Sequence, residues 1–201
     1  MNKICITLVI LWISAPVFTQ NIQLPAPKTT GGKPFLDVLS QRQTVRNFSE
    51  KELDKQTLSN LLWAAYGFNR EDKRVVPSSQ NRQEIDLYVV LSEGVYFYDA
   101  KTNLLILRAA GDFRKKAGTQ DFVATAPVNL VMVCNLDKAS NRESGYIDSG
   151  YISQNIYLFC ASEGNLGTVV RGSIDKEAFG KILQLTDKQE IIVAQTVGYV
   201  K

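Results

Sequence analysis

The chain has 201 residues, 45% hydrophobic and 21% charged, and its 23 Lys and Arg against 20 Asp and Glu give a net charge of +3. That length suits one globular domain with a substantial core, and a charge so small and dispersed argues against a nucleic-acid partner. With no histidine in the chain, a Ser-His-Asp triad, a Cys-His dyad, a His zinc site and an imidazole base are all excluded, so any enzyme here must lean on a cofactor.

Lys3, the apolar run from Ile4 to Ile13 and the small and polar stretch from Ser14 to Gln20 read as an export signal, residues 1–20, cut after Thr19 or Gln20. Ten helical residues span only ~15 Å, half a hydrocarbon core, so no stable membrane span is expected and the mature protein is placed in a periplasm or outside the cell. Cys5 leaves with the signal. Residues 21–32 hold Pro25, Pro27, Gly31 and Gly32 and few large apolar groups, which predicts an extended lead-in to a domain covering 33–201.

Phe35 to Leu39 has apolar residues one turn apart and predicts a short helix ending near Arg42. The β-branched Thr44 and Val45 then favour extended backbone, whose alternation aims Arg42, Thr44 and Arg46 the same way. Two guanidiniums and a hydroxyl so arranged suit phosphate oxygens in charge and geometry. The alternative is a pair of solvated loop arginines.

Asp54 is placed to cap a helix with Leu58, Leu61, Leu62 and Ala65 on one face, closed by Gly67. Trp63 on that helix reads as core, with stacking on a cofactor as the alternative. The loop from Arg74 to Gln83 carries Pro77, Ser78, Ser79, Gln80, Asn81 and Gln83, whose carboxamides and hydroxyls suit the edge of a heteroaromatic ring as well as an ordinary surface turn. Ile85 to Leu91, Val95 to Tyr98 and Leu104 to Leu107 predict a strand meander.

After short helix and loop from Gly111 to Thr125, the continuous apolar run Val128 to Cys134 predicts a strand buried on both faces. Tyr146 to Glu163 predicts the longest helix, with Ile152, Ile156, Phe159 and Cys160 on one stripe and Gly164 as its cap. A short strand between Gly167 and Gly172, a helix from Asp175 to Leu185 and a strand from Ile191 to Tyr199 complete the chain. Cys134 and Cys160 read as small buried hydrophobes, a disulfide between them being the alternative in an oxidising compartment. The acids never recur at calcium-loop spacing, so no metal site is expected. Interleaved helices and strands give an α+β or α/β class with a mixed sheet.

Taken together, Arg42 to Phe48, Pro77 to Gln83, Gln120 to Pro127 and Gly164 to Gly172 resemble, in order and spacing, the FMN-dependent nitroreductase family. Leu62 to Gly67 and Val95 to Asp99 resemble its branch of flavin oxidases of azoline-forming peptide biosynthesis. The resemblance implies a three-layer α+β fold, a mixed β-sheet flanked by helices, and a homodimer with two FMN sites at the subunit interface. The activity it implies is hydride transfer through flavin N5 to or from a small organic substrate.

It also assigns positions. Arg42 and Thr44 would hold the phosphate, Gln43 the phosphate or ribityl chain, and Arg46 the N1/O2 side of the ring, where it tunes the flavin. Gln120 is a candidate for the ring edge. The Val170-Arg171-Gly172 backbone would pass N5, and Pro77, Ser78, Ser79 and Asn81 would come from the other subunit. Many members carry a basic pair after the last strand that completes the phosphate clamp, for which Lys201 would be a partial substitute, and Arg171 stands where many members carry an acid. No residue is assigned a catalytic role beyond the flavin. Outside the cytoplasm nicotinamide donors are scarce, so an external electron donor is implied. Two further readings stand beside the enzyme: a non-catalytic exported flavin-binding module, and the same fold with an eroded site.

Overall fold

The structure is a computed structural model and describes residues 20–201; all but Gln20 of the stretch read as an export signal, Cys5 included, lies outside the described residues. Seven strands form one sheet in the order β1-β4-β3-β2-β5-β7-β6. They are β1 (Ile22–Gln23), β2 (Ile85–Val90), β3 (Gly94–Asp99), β4 (Leu104–Ala110), β5 (Val128–Asn135), β6 (Leu166–Arg171) and β7 (Gln189–Tyr199). Four helices, α1 (Phe35–Gln41), α2 (Lys55–Tyr66), α3 (Arg142–Glu163) and α4 (Lys176–Leu183), flank it. This is the predicted three-layer α+β class.

The layers follow from alternation along the strands. Ile85, Leu87 and Val89 of β2 and Leu130, Met132 and Cys134 of β5 face α2 and α3, packing with Leu58, Leu61, Leu62, Ile152 and Ile156. Tyr88, Val90, Val131 and Val133 face the other way, toward α4 and the 113–125 segment, packing with Phe179, Leu183, Ala117 and Val123. A strand loaded on both faces is what the unbroken apolar run at 128–134 requires.

Every neighbouring pair in the sheet is antiparallel, where a mixed sheet was expected. The α3 crossover does return the chain parallel to β5, but β6 lands one place away. β7 fills the gap and runs antiparallel to both. The lead-in also differs from its expectation: it is extended, yet Ile22 pairs with Leu105 on β4 and Leu24 is buried in the main core.

The helix ends are close to their sequence signals. Asp54 Oδ1 accepts from the Thr57 amide, Asn141 Oδ1 from Ser144 and Asp175 Oδ1 from Ala178, each satisfying an amide with no partner in its own helix. The Asn141 cap starts α3 four residues before the predicted Tyr146, because a polar first turn hides helical periodicity. Trp63 is half-buried and donates from Nε1 to the Phe68 carbonyl at 3.0 Å. Cys134 and Cys160 are both free thiols and buried, which settles the disulfide alternative against pairing. Among the described residues no helix is long and apolar enough to cross a membrane, and no group of His, Cys, Asp and Glu could hold a metal ion.

Candidate functional site

The segment after α1 is fixed to the edge strand β6. The Val45 amide donates to the Thr168 carbonyl at 3.0 Å, and Val45 packs on Gly167, where a Cβ would come within 2.7 Å of the valine side chain. Further along, Phe48 pairs with Val200, the Ser49 amide donates to Tyr199 O at 2.8 Å, and the Lys201 amide reaches Asn47 O at 3.3 Å. The extended backbone predicted from Thr44 and Val45 is therefore docked along its length, and the Lys201 backbone lies beside it.

With Val45 turned inward, Arg42 and Thr44 turn toward α3 and meet one residue there, Tyr157. The Arg42 guanidinium lies 5.1 Å from the centroid of that ring, a distance suited to cation–π attraction. The Tyr157 hydroxyl accepts from the Val170 amide at 3.2 Å and shares a second hydrogen bond with Thr44 Oγ1, also 3.2 Å away. One phenol thus joins the Arg42 segment to the 170–172 backbone. Arg42, Gln43, Ser40, Tyr157 and Gly164 line part of an open cavity of about 450 Å³, within the usual range for small-molecule sites. Among the described residues Arg42 has no carboxylate partner. Arg46 is exposed beyond the cavity wall.

Sequence reasoning missed Tyr157. It lies one residue past Ile156 on the α3 core stripe and reads as one more core aromatic. Its polar tip at the stripe's margin is the only signal it gives.

The 77–83 loop forms a second centre. Gln80, Asn81 and Gln83 adopt left-handed backbone with φ of 52°, 56° and 50°. The loop is held by side-chain bonds: Asn81 Nδ2 donates to Asp72 O at 3.1 Å, the Gln83 amide to Ser78 Oγ at 3.0 Å, and Ser79 Oγ pairs with Ser140 Oγ at 2.9 Å. None of Pro77, Ser78, Ser79 or Asn81 lines the Arg42 cavity. The Ser79 amide faces Asp148 on α3, whose carboxyl is pushed up to about 7 by burial and then by the neighbouring buried Glu84 carboxyl. Both Glu84 carboxylate oxygens and Asp148 Oδ2 are buried without a hydrogen-bond partner. Sequence reasoning missed the pair as well, since its members lie 64 positions apart.

A third group assembles beside Gly172. Gln120 Nε2 meets Ser173 Oγ in a short contact of 2.5 Å, the Thr119 amide donates to Ser173 O at 3.2 Å, and Gln120 Oε1 is buried with no partner. The Val170 side chain is exposed on the α3 side of β6, while Arg171 is buried on the opposite face. Gly172 is exposed, with nothing within 4 Å of where a Cβ would stand. The structure therefore unites Arg42, Gln43, Thr44 and Val170 around Tyr157, sets Gln120 beside Gly172, and leaves the 77–83 loop apart within one chain.

The nitroreductase family model matches residues 39–199. The chain belongs to the nitroreductase family. A nitroreductase structure from Ralstonia eutropha JMP134 is 35% identical, with 93% of this chain and 92% of that chain covered at a TM-score of 0.85. Two more distant structures share the fold. A nitroreductase from Desulfovibrio desulfuricans in complex with FMN is 20% identical, covering 85% of this chain and 88% of its own at a TM-score of 0.62. A chain of the E. coli microcin synthetase McbBCD complex, with truncated pro-MccB17 bound, is 18% identical, covering 95% and 78% at 0.69. Family membership makes the chain an oxidoreductase, and the three centres above are where its family's chemistry is to be sought.

Proposed function

We propose that this protein is an exported FMN-dependent oxidoreductase that works as a homodimer on a small organic substrate. The observation that carries the reading is Arg42 over Tyr157 at the wall of an open cavity, a cation with no acid beside it among the described residues. FMN supplies hydride uptake and release at its N5 when bound. The donor set fits it: Arg42, Gln43 and Thr44 offer charge-assisted and neutral bonds for a phosphate and a polyol chain, with Lys201 nearby. Arg46 is available for the N1/O2 side of the ring, where a cation favours the reduced form. The FMN held by the structurally similar D. desulfuricans protein supports the same cofactor here.

Two features support the homodimer. The α1 residues Phe35 and Leu36 are 64% and 74% exposed, and Tyr146, Ile147 and Tyr151 stand exposed on α3 against which α1 packs, an apolar area of the kind that marks an interface. Asp148, which meets the 77–83 loop, and Tyr157, which meets Arg42, lie ~14 Å apart along α3. A two-fold axis crossing α3 between them brings the Ser78, Ser79 and Asn81 loop of one subunit to the Arg42 cavity of the other. The microcin synthetase fold likeness is in keeping with the azoline-oxidase branch. In a periplasm or outside the cell, the electrons come from the substrate or from a partner reductase.

The test is to mix the purified mature protein with FMN, follow flavin through gel filtration, and offer a panel of electron donors. Co-elution with reduction supports the enzyme. Co-elution without reduction by any donor supports the non-catalytic flavin-binding module, and a colourless protein removes both.

A further inference from the structure

Arg171 is 5% exposed, and among the described residues none of its partners is an acid. Its Nη1 donates to the Ala117 carbonyl at 2.9 Å, its Nη2 to Asn129 Oδ1 at 3.0 Å and to Thr196 Oγ1 at 2.9 Å, and its Nε to the same hydroxyl at 3.2 Å. Thr196 passes its proton on to Asn129 Oδ1 at 2.6 Å, so both side chains present lone pairs to the guanidinium. Gly118 makes room: a Cβ there would collide with Arg171 Nη1. The surroundings are shaped around a cation and answer it with neutral oxygens alone.

Arginine is almost never fully buried without an acid, because moving the ion out of water costs several kcal/mol that neutral acceptors only partly repay. Burial alone pulls its pKa down to about 10, so the group stays protonated at neutral pH. An apolar residue would hold the 113–125 segment to the sheet at less cost, so riveting that segment does not explain why a charge is there. Its place in the fold does. Arg171 sits in β6 between Val170, whose amide meets Tyr157 in the Arg42 centre, and the open Gly172. Its field, uncancelled and inside a low-dielectric wall, acts on whatever lies along that backbone.

We propose that Arg171 is a flavin-tuning residue, a buried uncompensated cation behind the Val170 to Gly172 backbone that stabilises bound FMN more when reduced than when oxidised. The inference rests on the FMN reading above. Reduction by hydride adds two electrons and one proton at N5, so the added negative charge is what the guanidinium answers.

Wild type, Arg171→Lys and Arg171→Met are loaded with FMN, checked for bound flavin by absorbance, and titrated by spectroelectrochemistry. Arg171→Met is expected to lower the ratio of reduced to oxidised affinity about tenfold, a fall of roughly 30 mV for a two-electron couple. Arg171→Lys keeps the charge while losing the planar fork and is expected to stay within about twofold of wild type. A residue that only rivets the loop would move stability and leave the potential alone. If Arg171→Met fails to fold, Arg171→Met with Asn129→Leu makes the same charge deletion in an apolar setting. An unmoved potential in the neutral variant, or equal shifts in the Met and Lys variants, overturns the inference alone. A wild-type protein that takes up no FMN overturns the parent reading and this inference with it.

Discussion

Arg42 and Tyr157 stand face to face across the join between the segment after α1 and the long helix α3, guanidinium over ring at 5.1 Å. The contact holds the cation against the cavity wall while leaving its N–H edge open. Removing it with Arg42→Ala is expected to weaken FMN binding by roughly 1.5 to 3 kcal/mol, the scale of a charged hydrogen bond, with thermal stability almost unchanged. Titration of the apo-protein by flavin fluorescence measures this. Unaltered affinity would take Arg42 out of the phosphate site.

Tyr157→Phe keeps the ring under Arg42 and deletes only the hydroxyl that links Thr44 to the Val170 amide. That amide is then left without its acceptor. The variant is expected to lose about 1 kcal/mol of stability in urea denaturation, and to bind FMN more weakly because the Thr44 hydroxyl loses the partner that orients it, while the Val45 amide still holds the segment to β6. A loss of affinity with no loss of stability would assign the hydroxyl to the ligand instead of the join.

The buried Asp148 makes stability depend on pH. A carboxyl whose folded pKa is raised binds its proton more tightly in the folded than in the unfolded chain, so its contribution is present at low pH and is lost as pH rises toward about 7. Between about pH 4 and 7 the Asp148 contribution falls, by at most about 1.4 kcal/mol per pH unit for one proton. Asp148→Asn should flatten that part of the denaturation midpoint against pH. An identical profile in the variant would mean that Asp148 titrates normally.

Gln80 carries φ of 52°, a left-handed conformation that costs a residue with a Cβ about 1 to 2 kcal/mol. Gln80→Gly relieves the crowding but loosens the unfolded chain, so a net gain of about 1 kcal/mol is expected, read from the shift in thermal midpoint. A loss instead would show that the contacts of its Oε1 with Arg82 Nε and Nη2, at 3.3 and 2.9 Å, are worth more than the strain.

If Arg42 and Asn81 serve one site from two subunits, their defects complement. Arg42→Ala and Asn81→Ala are unfolded together and refolded as a mixture, then given FMN at a concentration that fills wild-type sites and leaves each variant alone empty. Half the dimers are then mixed, each with one doubly altered and one intact site, so about a quarter of all sites should bind FMN again. Mixed dimers seen by mass spectrometry in a colourless sample would rule out sharing across the interface.

The elements were legible, and so were the caps at Asp54 and Gly164, because these are local signals that hold whatever surrounds them; the Asn141 cap was not, since the polar turn after it hides the start of α3. The position of β7 between β5 and β6 was not, since strand order is decided by which neighbour covers which apolar face, and alternation within one strand says nothing of that. In the candidate site, charged and hydroxylated residues in one short run, Arg42 to Arg46, could be read directly. Tyr157 could not, nor could Glu84 with Asp148. Each belongs to the site through a partner far away in sequence, and each carries the same signature as an ordinary helix or strand residue.

The two free thiols mark opposite ends of the seam between α3 and the sheet. Cys134 lies under Gly145 near the helix start, and Cys160 Sγ sits 4.0 Å from the Gly167 carbonyl near its end. Burial raises the pKa of both, to about 11 for Cys134, so neither is a ready thiolate while the helix is seated. Alkylation by a maleimide therefore counts the moments at which α3 lifts away. Comparing modification rates at the two cysteines, resolved by peptide mapping, gives a clock for which end of the helix peels first and for how far a bound ligand slows it.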